Sequence, residues 1–197
     1  MTDRTTRPLV IIAAFAGSLA AGLLVVLWLT GGFRNVAAPA SIGGSFQLTD
    51  QSGQTVTEQS LKGKPTLIFF GFTHCPDICP TSLFEMSEVL RAMGKDADRI
   101  NTYFVSVDPE RDTAAIMKDY LTSFDPHLKG LTGAPDAVAK VISGYRVYAK
   151  KVPTKDGDYT MDHTALIYLM DKDGNFVAPF NIKRKPEEAA TDLKRYL

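Results

Sequence analysis

The chain has 197 residues, 45% of them hydrophobic, and its 22 basic and 22 acidic side chains cancel. That length suits one membrane segment plus one globular domain of roughly 150 residues. A neutral chain lacks the one-sided excess of Lys and Arg that phosphate binding needs, which argues against nucleic acid as a partner; the short run Lys183, Arg184, Lys185 reads as solvated surface.

Residues 9–29, LVIIAAFAGSLAAGLLVVLWL, carry no charge. A helix of that length crosses a hydrocarbon core of about 30 Å, and Trp28 suits the interface at its outer end. Arg4 and Arg7 precede the span and only Arg34 follows closely. The positive-inside bias therefore puts residues 1–8 in the cytoplasm. The rest of the chain is then expected on the periplasmic or exported side of an inner membrane crossed once. The rival is a cleaved signal peptide, with Ala38, Pro39 and Ala40 as its small-residue site. The apolar stretch is longer than a signal h-region of about 7 to 15 residues, which favours an uncleaved anchor. Residues 30–45 follow as a linker, and NVAAPASIGGS is small and polar enough for a flexible tether.

The globular part, residues 46–197, opens with FQLTD, QSG and QTVTE, a short hairpin. PTLIFFGF, residues 65–72, is nearly unbroken apolar sequence bounded by Pro and Gly, the pattern of a central strand buried on both faces. Leu83, Met86, Val89, Leu90 and Met93 then recur at helical spacing until Gly94. INTYFVSV, residues 100–107, is a second buried strand. A helix over residues 112–124 takes Asp112 as its cap. Residues 128–131 form a short strand, and residues 135–145 a helix with Val138, Val141, Ile142 and Tyr145 on one face. TALIYLM, residues 164–170, is a strand that Asp171, Lys172, Asp173 and Gly174 turn into residues 176–180. The last helix begins near Pro186. This order predicts an α/β class domain: a thioredoxin-like fold with a central mixed sheet flanked by helices, preceded by one transmembrane helix.

The chemistry concentrates in Gly71-Phe72-Thr73-His74-Cys75-Pro76-Asp77-Ile78-Cys79-Pro80, which holds both cysteines of the chain. They fall between the carboxyl end of a strand and the start of a helix, where open α/β sheets bind ligands. Each proline disfavours helical geometry in the residue before it, so Pro80 reads as the first helical residue and Cys79 as the N-cap. The helix dipole would lower the thiol pKa there, and Asp77 would oppose it. A structural disulfide across three residues closes too small a loop to gain much entropy; two inert thiols are the other bland reading. Redox chemistry and metal binding remain, and the spacing does not choose between them. A soft thiolate pair suits Cu(I) but calls for a third ligand. Of the three histidines, His74 should point away from Cys75 in an extended segment. His127 sits in a polar surface loop, and His163 just before a strand.

FFGFTHCPDICP at 69–80, VSVDPERDT at 105–113, GYRVY at 144–148 and DHTALIYLMD at 162–171 together resemble the SCO/SenC family of copper proteins. The similarity runs from about Phe46 to the end, and an anchor with a tether fits it. The resemblance implies a metallochaperone that helps build the dinuclear CuA centre of cytochrome c oxidase subunit II, working among other copper chaperones. It implies copper, as Cu(I) or Cu(II), on Cys75, Cys79 and His163, and a further role of the Cys75/Cys79 pair in thiol-disulfide reduction. Asp162 is then a candidate to orient the His163 ring, or an ordinary exposed carboxylate, and Asp108 reads as a turn residue before Pro109. Two alternatives need no histidine: a metal-free thiol-disulfide oxidoreductase, and a thiol peroxidase drawing on Thr73 and Arg146.

Overall fold

The computed structural model describes residues 6–29 and 41–197, which fall into two compact units, Met1–Ala40 and Ser41–Leu197. In the first, α1 (Thr6–Leu29) is a single helix of 24 residues. Its apolar stretch Val10–Leu29 is long enough to cross a hydrocarbon core. Most of the expected linker lies outside the described residues. Its last part, residues 41–45, belongs to the second unit, where Ile42 packs on the core and the Gly43 N–H donates to the Gly144 carbonyl at 2.9 Å.

The second unit is built on a seven-stranded sheet. Its strands are β1 (Gln47–Asp50), β2 (Thr55–Thr57), β3 (Thr66–Gly71), β4 (Asn101–Ser106), β5 (Leu128–Thr132), β8 (Ile167–Met170) and β9 (Phe176–Pro179), in the order β2-β1-β5-β4-β3-β8-β9. β3, β4 and β5 run parallel, and the strands outside them are antiparallel. The mixed, thioredoxin-like sheet expected from the sequence is therefore present. β3 is buried at all six positions, as an apolar run with no polar alternation requires. Phe69, Phe70 and Phe104 are fully buried at its centre.

Helices α2 (Ile78–Met93), α3 (Ala114–Leu121), α4 (Pro135–Gly144) and α5 (Pro186–Leu193) flank the sheet, with α2 against α5 and α3 against β5. Gly94 ends α2 in the left-handed region, φ 60°, which favours glycine. Pro135 and Pro186 each sit in a first turn, where a missing N–H costs nothing. The cap of α3 is Thr113, whose side chain accepts from the Ile116 N–H, and not Asp112. Asp112 is wholly buried and its carboxylate is engaged elsewhere.

A second, two-stranded sheet was not expected. β6 (Ala149–Pro153) and β7 (Tyr159–His163) form an antiparallel hairpin that does not join the main sheet. His163 is thus the last residue of one strand rather than the lead-in to the next. Residues 164–166, expected to begin β8, are irregular.

Candidate metal centre

At the carboxyl end of β3 the chain turns sharply, with the Cys75 N–H donating to the Phe72 carbonyl at 3.3 Å. α2 starts two residues before Pro80. Its first helical bond runs from the Thr81 N–H to the Asp77 carbonyl at 3.1 Å. Pro80 is tolerated at the third position because N–H groups of the first turn have no intrahelical acceptor. Cys79 is therefore inside the first turn, not at the cap. Its fully buried side chain outweighs the steric preference that a following proline imposes. Cys75 stays on the loop, half-buried, with its Sγ 3.5 Å from the Cys79 backbone nitrogen.

The hairpin brings His163 to this corner. Its Nε2 lies 3.5 Å from Cys79 Sγ. Its Nδ1 is 3.1 Å from the Thr164 carbonyl, which can only accept, so the neutral ring carries its proton on Nδ1 and turns the Nε2 lone pair toward the sulfur. Phe72 and Phe69 hold the imidazole by edge contacts at 5.7 and 6.3 Å between ring centres.

The ligand atoms of Cys75, Cys79 and His163 all lie within 4.8 Å of one another. Donors on one ion with bonds of about 2.0–2.3 Å sit up to roughly 4.6 Å apart, so the cluster needs little adjustment. Two sulfurs and one imidazole nitrogen form a soft set suited to Cu(I), and also to Zn(II) with an open position. Burial, more than any other influence, pushes the Cys79 thiol well above its usual range, and the nearby Cys75 adds to this. The lowering expected from the helix dipole does not prevail.

The other sequence candidates resolve as follows. His74 points away, its Nδ1 3.1 Å from Thr73 Oγ1, with half its side chain exposed. His127 bridges two acids, with Nδ1 2.7 Å from Asp125 and Nε2 3.1 Å from Asp98, and is more engaged than a surface loop residue. Asp162 is exposed on the outer face of β7, opposite Lys150, while Tyr159, Met161 and His163 share the inner face. The backbone carbonyl of Thr164 orients the ring in its place.

Asp108 is no idle turn residue: it is buried, ion-paired to Arg111, and accepts from the Tyr159 hydroxyl at 2.9 Å. Asp112, missed as a site residue, accepts from the Thr73 hydroxyl at 2.6 Å, the Thr73 N–H at 3.1 Å and the Ser106 hydroxyl at 2.6 Å. It thereby pins the loop two residues ahead of Cys75. Burial raises its pKa, and these bonds partly offset the rise. The hydroxyl a peroxidase would draw on is committed to Asp112, and Arg146 lies exposed at φ 54°.

A model of the SCO1/SenC family matches residues 34–197. The chain belongs to the SCO1/SenC family. It is 42% identical over 157 residues to "Protein SCO1 homolog 1, mitochondrial" of Arabidopsis thaliana, covering 79% of this chain and 47% of that protein. To the "SCO2-like protein" of Rickettsia felis it is 40% identical over 155 residues, covering 78% of this chain and 76% of that one. The chain therefore spans about half the length of the first relative and about three quarters of the second. Among solved structures it matches Bradyrhizobium japonicum ScoI with copper bound at 79% identity and a TM-score of 0.78, over 80% of this chain and 100% of that one. Copper-bound Arabidopsis thaliana ScoI follows at 38% identity and 0.72, over 79% and 98%. Within the SCO1/SenC fold, the Cys75, Cys79 and His163 cluster is the one group of its kind among the described residues.

Proposed function

We propose that this chain is a membrane-anchored copper carrier that serves assembly of the CuA centre of cytochrome c oxidase subunit II, with Cys75, Cys79 and His163 as its ligands. The observation that carries the reading is the convergence of these side chains, 84 residues apart between Cys79 and His163, on one point. Copper-bound relatives of the same fold support the choice of cargo. Two thiolates and one imidazole leave Cu(I) short of ligands, so a sulfur from an acceptor can join before one of the chain's own leaves. Copper then passes without release to water.

Reduction of the acceptor's thiols by the Cys75/Cys79 pair is a second reading, favoured by two free cysteines lying side by side. His163 separates the two, because it can ligate copper but takes no part in thiol exchange. The His163→Ala chain is expected to keep its dithiol couple, bind Cu(I) at least about tenfold more weakly and leave cells without CuA. Normal oxidase in such cells, at ordinary copper and expression levels, puts the reductase reading ahead.

In this proposal α1 is an uncleaved single-pass anchor and the domain is on the exported side, as Arg4 and Arg7 before the span suggest. Reporters fused after Phe46 should work only outside the cytoplasm; a cytoplasmic signal refutes the topology.

A further inference from the structure

The hairpin that supplies His163 makes no ladder hydrogen bonds to the main sheet, so something else must fix its angle. Its base is continuous with the neighbouring chain, where the Thr164 N–H donates to the Tyr148 carbonyl at 2.9 Å and the Tyr148 N–H to Thr164 Oγ1 at 2.9 Å. Its far end, the pair Tyr159 and Pro153, is four residues or about 13 Å away along β7. Toward that end Lys151 of β6 donates from Nζ to Glu110 at 2.6 Å, and Arg111 makes the most contacts.

Arg111, in the turn after β4, donates from Nη1 to the Tyr159 carbonyl at 2.9 Å and from Nε to the buried Asp108 carboxylate. Tyr159 returns the link by donating its hydroxyl to the other oxygen of Asp108 at 2.9 Å. The guanidinium also stacks 3.8 Å from the centre of the Tyr159 ring, with Lys151 Nζ 4.5 Å from the same centre. A second route leads to the metal corner: the Arg111 guanidinium lies 5.9 Å from the Phe72 ring, which abuts His163. Arg111 is mostly buried, which an arginine serving only solubility would not be.

We propose that Arg111 is a positioning residue for the metal centre: by clasping Tyr159 against Asp108 it holds the β6–β7 hairpin at the angle that keeps His163 over the Cys75/Cys79 pair. The inference rests on His163 being a ligand. Arg111 touches no ligand atom and acts through the hairpin and Phe72. Lysine cannot replace it, because one ammonium cannot bridge Asp108 and the Tyr159 carbonyl while lying flat on a ring.

The test is a double-mutant cycle on the full chain purified in detergent, titrated with Cu(I) against a competing chelator. Losing a charge-assisted bond of this kind corresponds to about tenfold to hundredfold. Arg111→Leu should weaken Cu(I) binding within that range, with Arg111→Lys between it and the parent. In the His163→Ala background the same change should weaken binding by less than about twofold, since His163 is no longer there to be positioned. In the metal-free chain the amides of β6 and β7 should exchange faster in Arg111→Leu by a similar factor, while the Cys75–Cys79 midpoint potential stays unchanged. If Arg111→Leu fails to fold, Arg111→Lys and Tyr159→Phe carry the same cycle. Equal weakening in both backgrounds overturns the inference, as does unchanged hairpin exchange. If His163→Ala alone leaves affinity untouched, the ligand set itself falls and this inference with it; if only the Arg111 changes are silent, the ligand set stands.

Discussion

Gly71 ends β3 with no room for a side chain, and filling that space tests how rigidly Cys79 is placed. A Cβ added there would lie 2.7 Å from Cys79 Sγ and 2.6 Å from Phe104 Cε2. Ordinary contact begins near 3.4 Å, so each neighbour must retreat by about 0.7–0.8 Å. The backbone cannot yield easily, because Gly71 is paired with Ser106 of β4 inside a sheet buried at every β3 position. Phe104 is fully buried and stacked on Phe69 with 5.9 Å between ring centres, so most of the movement falls on Cys79. Overpacking of this size costs about 1–3 kcal/mol. Metal bonds tolerate displacements of only about 0.2 Å, so Gly71→Ala should lose stability in that range and bind Cu(I) at least about tenfold more weakly. Gly130→Ala in β5 is the control, since its Cβ meets Leu121 Cδ1 and Met117 Cε at 2.8 Å and Met117 Cβ at 3.3 Å, and neither of the proposed sulfur ligands. It should soften the fold and spare binding. Urea unfolding of the domain from Ser41, read beside chelator competition, gives both quantities. If Gly71→Ala binds Cu(I) as the parent does, the sulfur is not held where the packing requires, and the reasoning fails.

Two other predictions concern side chains away from the Cys75, Cys79 and His163 cluster. The hydrogen bond to Asp125, reinforced by Asp98, raises the His127 pKa above its ordinary 6.5 against the opposing effect of burial. A raised folded-state value means the contribution is complete below about pH 6.5 and is lost as pH climbs through the higher value. Unfolding midpoints should therefore fall between about pH 5.5 and about pH 8.5 by more in the parent than in His127→Gln; equal slopes refute the assignment. His74→Ala and Asp162→Asn should each leave Cu(I) affinity within about twofold of the parent, because one ring turns toward Thr73 and the other carboxylate faces solvent. A tenfold loss in either would mean that the described corner omits a functional contact.

What could be read beforehand follows the strength of the physical signal. β3, β4 and α2 declare themselves because burial on both faces, or on one stripe, forces unbroken or periodic apolar sequence. The cysteine loop is legible because two thiols at a strand-to-helix corner have few structural uses. The hairpin that delivers His163 is not. AKKVP and YTMDH are mostly exposed or half-buried, with Met161 the one buried residue, so neither alternates clearly. Only the Lys155, Asp156, Gly157 turn between them, with Gly157 at φ 88°, offers a cue. Asp112 misleads for a different reason. An acid just before a helix satisfies the capping rule, yet the cap falls one residue later because Thr73, 39 residues away, and Ser106 at the end of β4 claim the carboxylate. Such a claim is a tertiary fact with no local signature. The same holds for Cys79: a local rule about prolines puts it at the cap, and the burial of its sulfur draws it into the first turn.

That burial bears on how cargo is held. A bare thiolate at Cys79 is strongly disfavoured, since burial penalises the charge and Cys75 adds to the penalty. Without a metal, Cys79 is therefore held as a thiol or joined in a disulfide. A bound cation reverses this by bringing its positive charge to where the negative charge is hardest to solvate. Under the proposed function, loading expels the Cys79 thiol proton and unloading recovers it, so the occupied and empty states differ in protons as well as in metal. His163 is already oriented, with Nδ1 against the Thr164 carbonyl and Nε2 turned to the sulfur. On that reading the histidine is oriented before cargo arrives, whereas Cys79 becomes a ligand only as it does. Under the proposed function, a fixed imidazole beside a buried, proton-exchanging thiol suits holding a soft cation securely and still surrendering it to incoming sulfur.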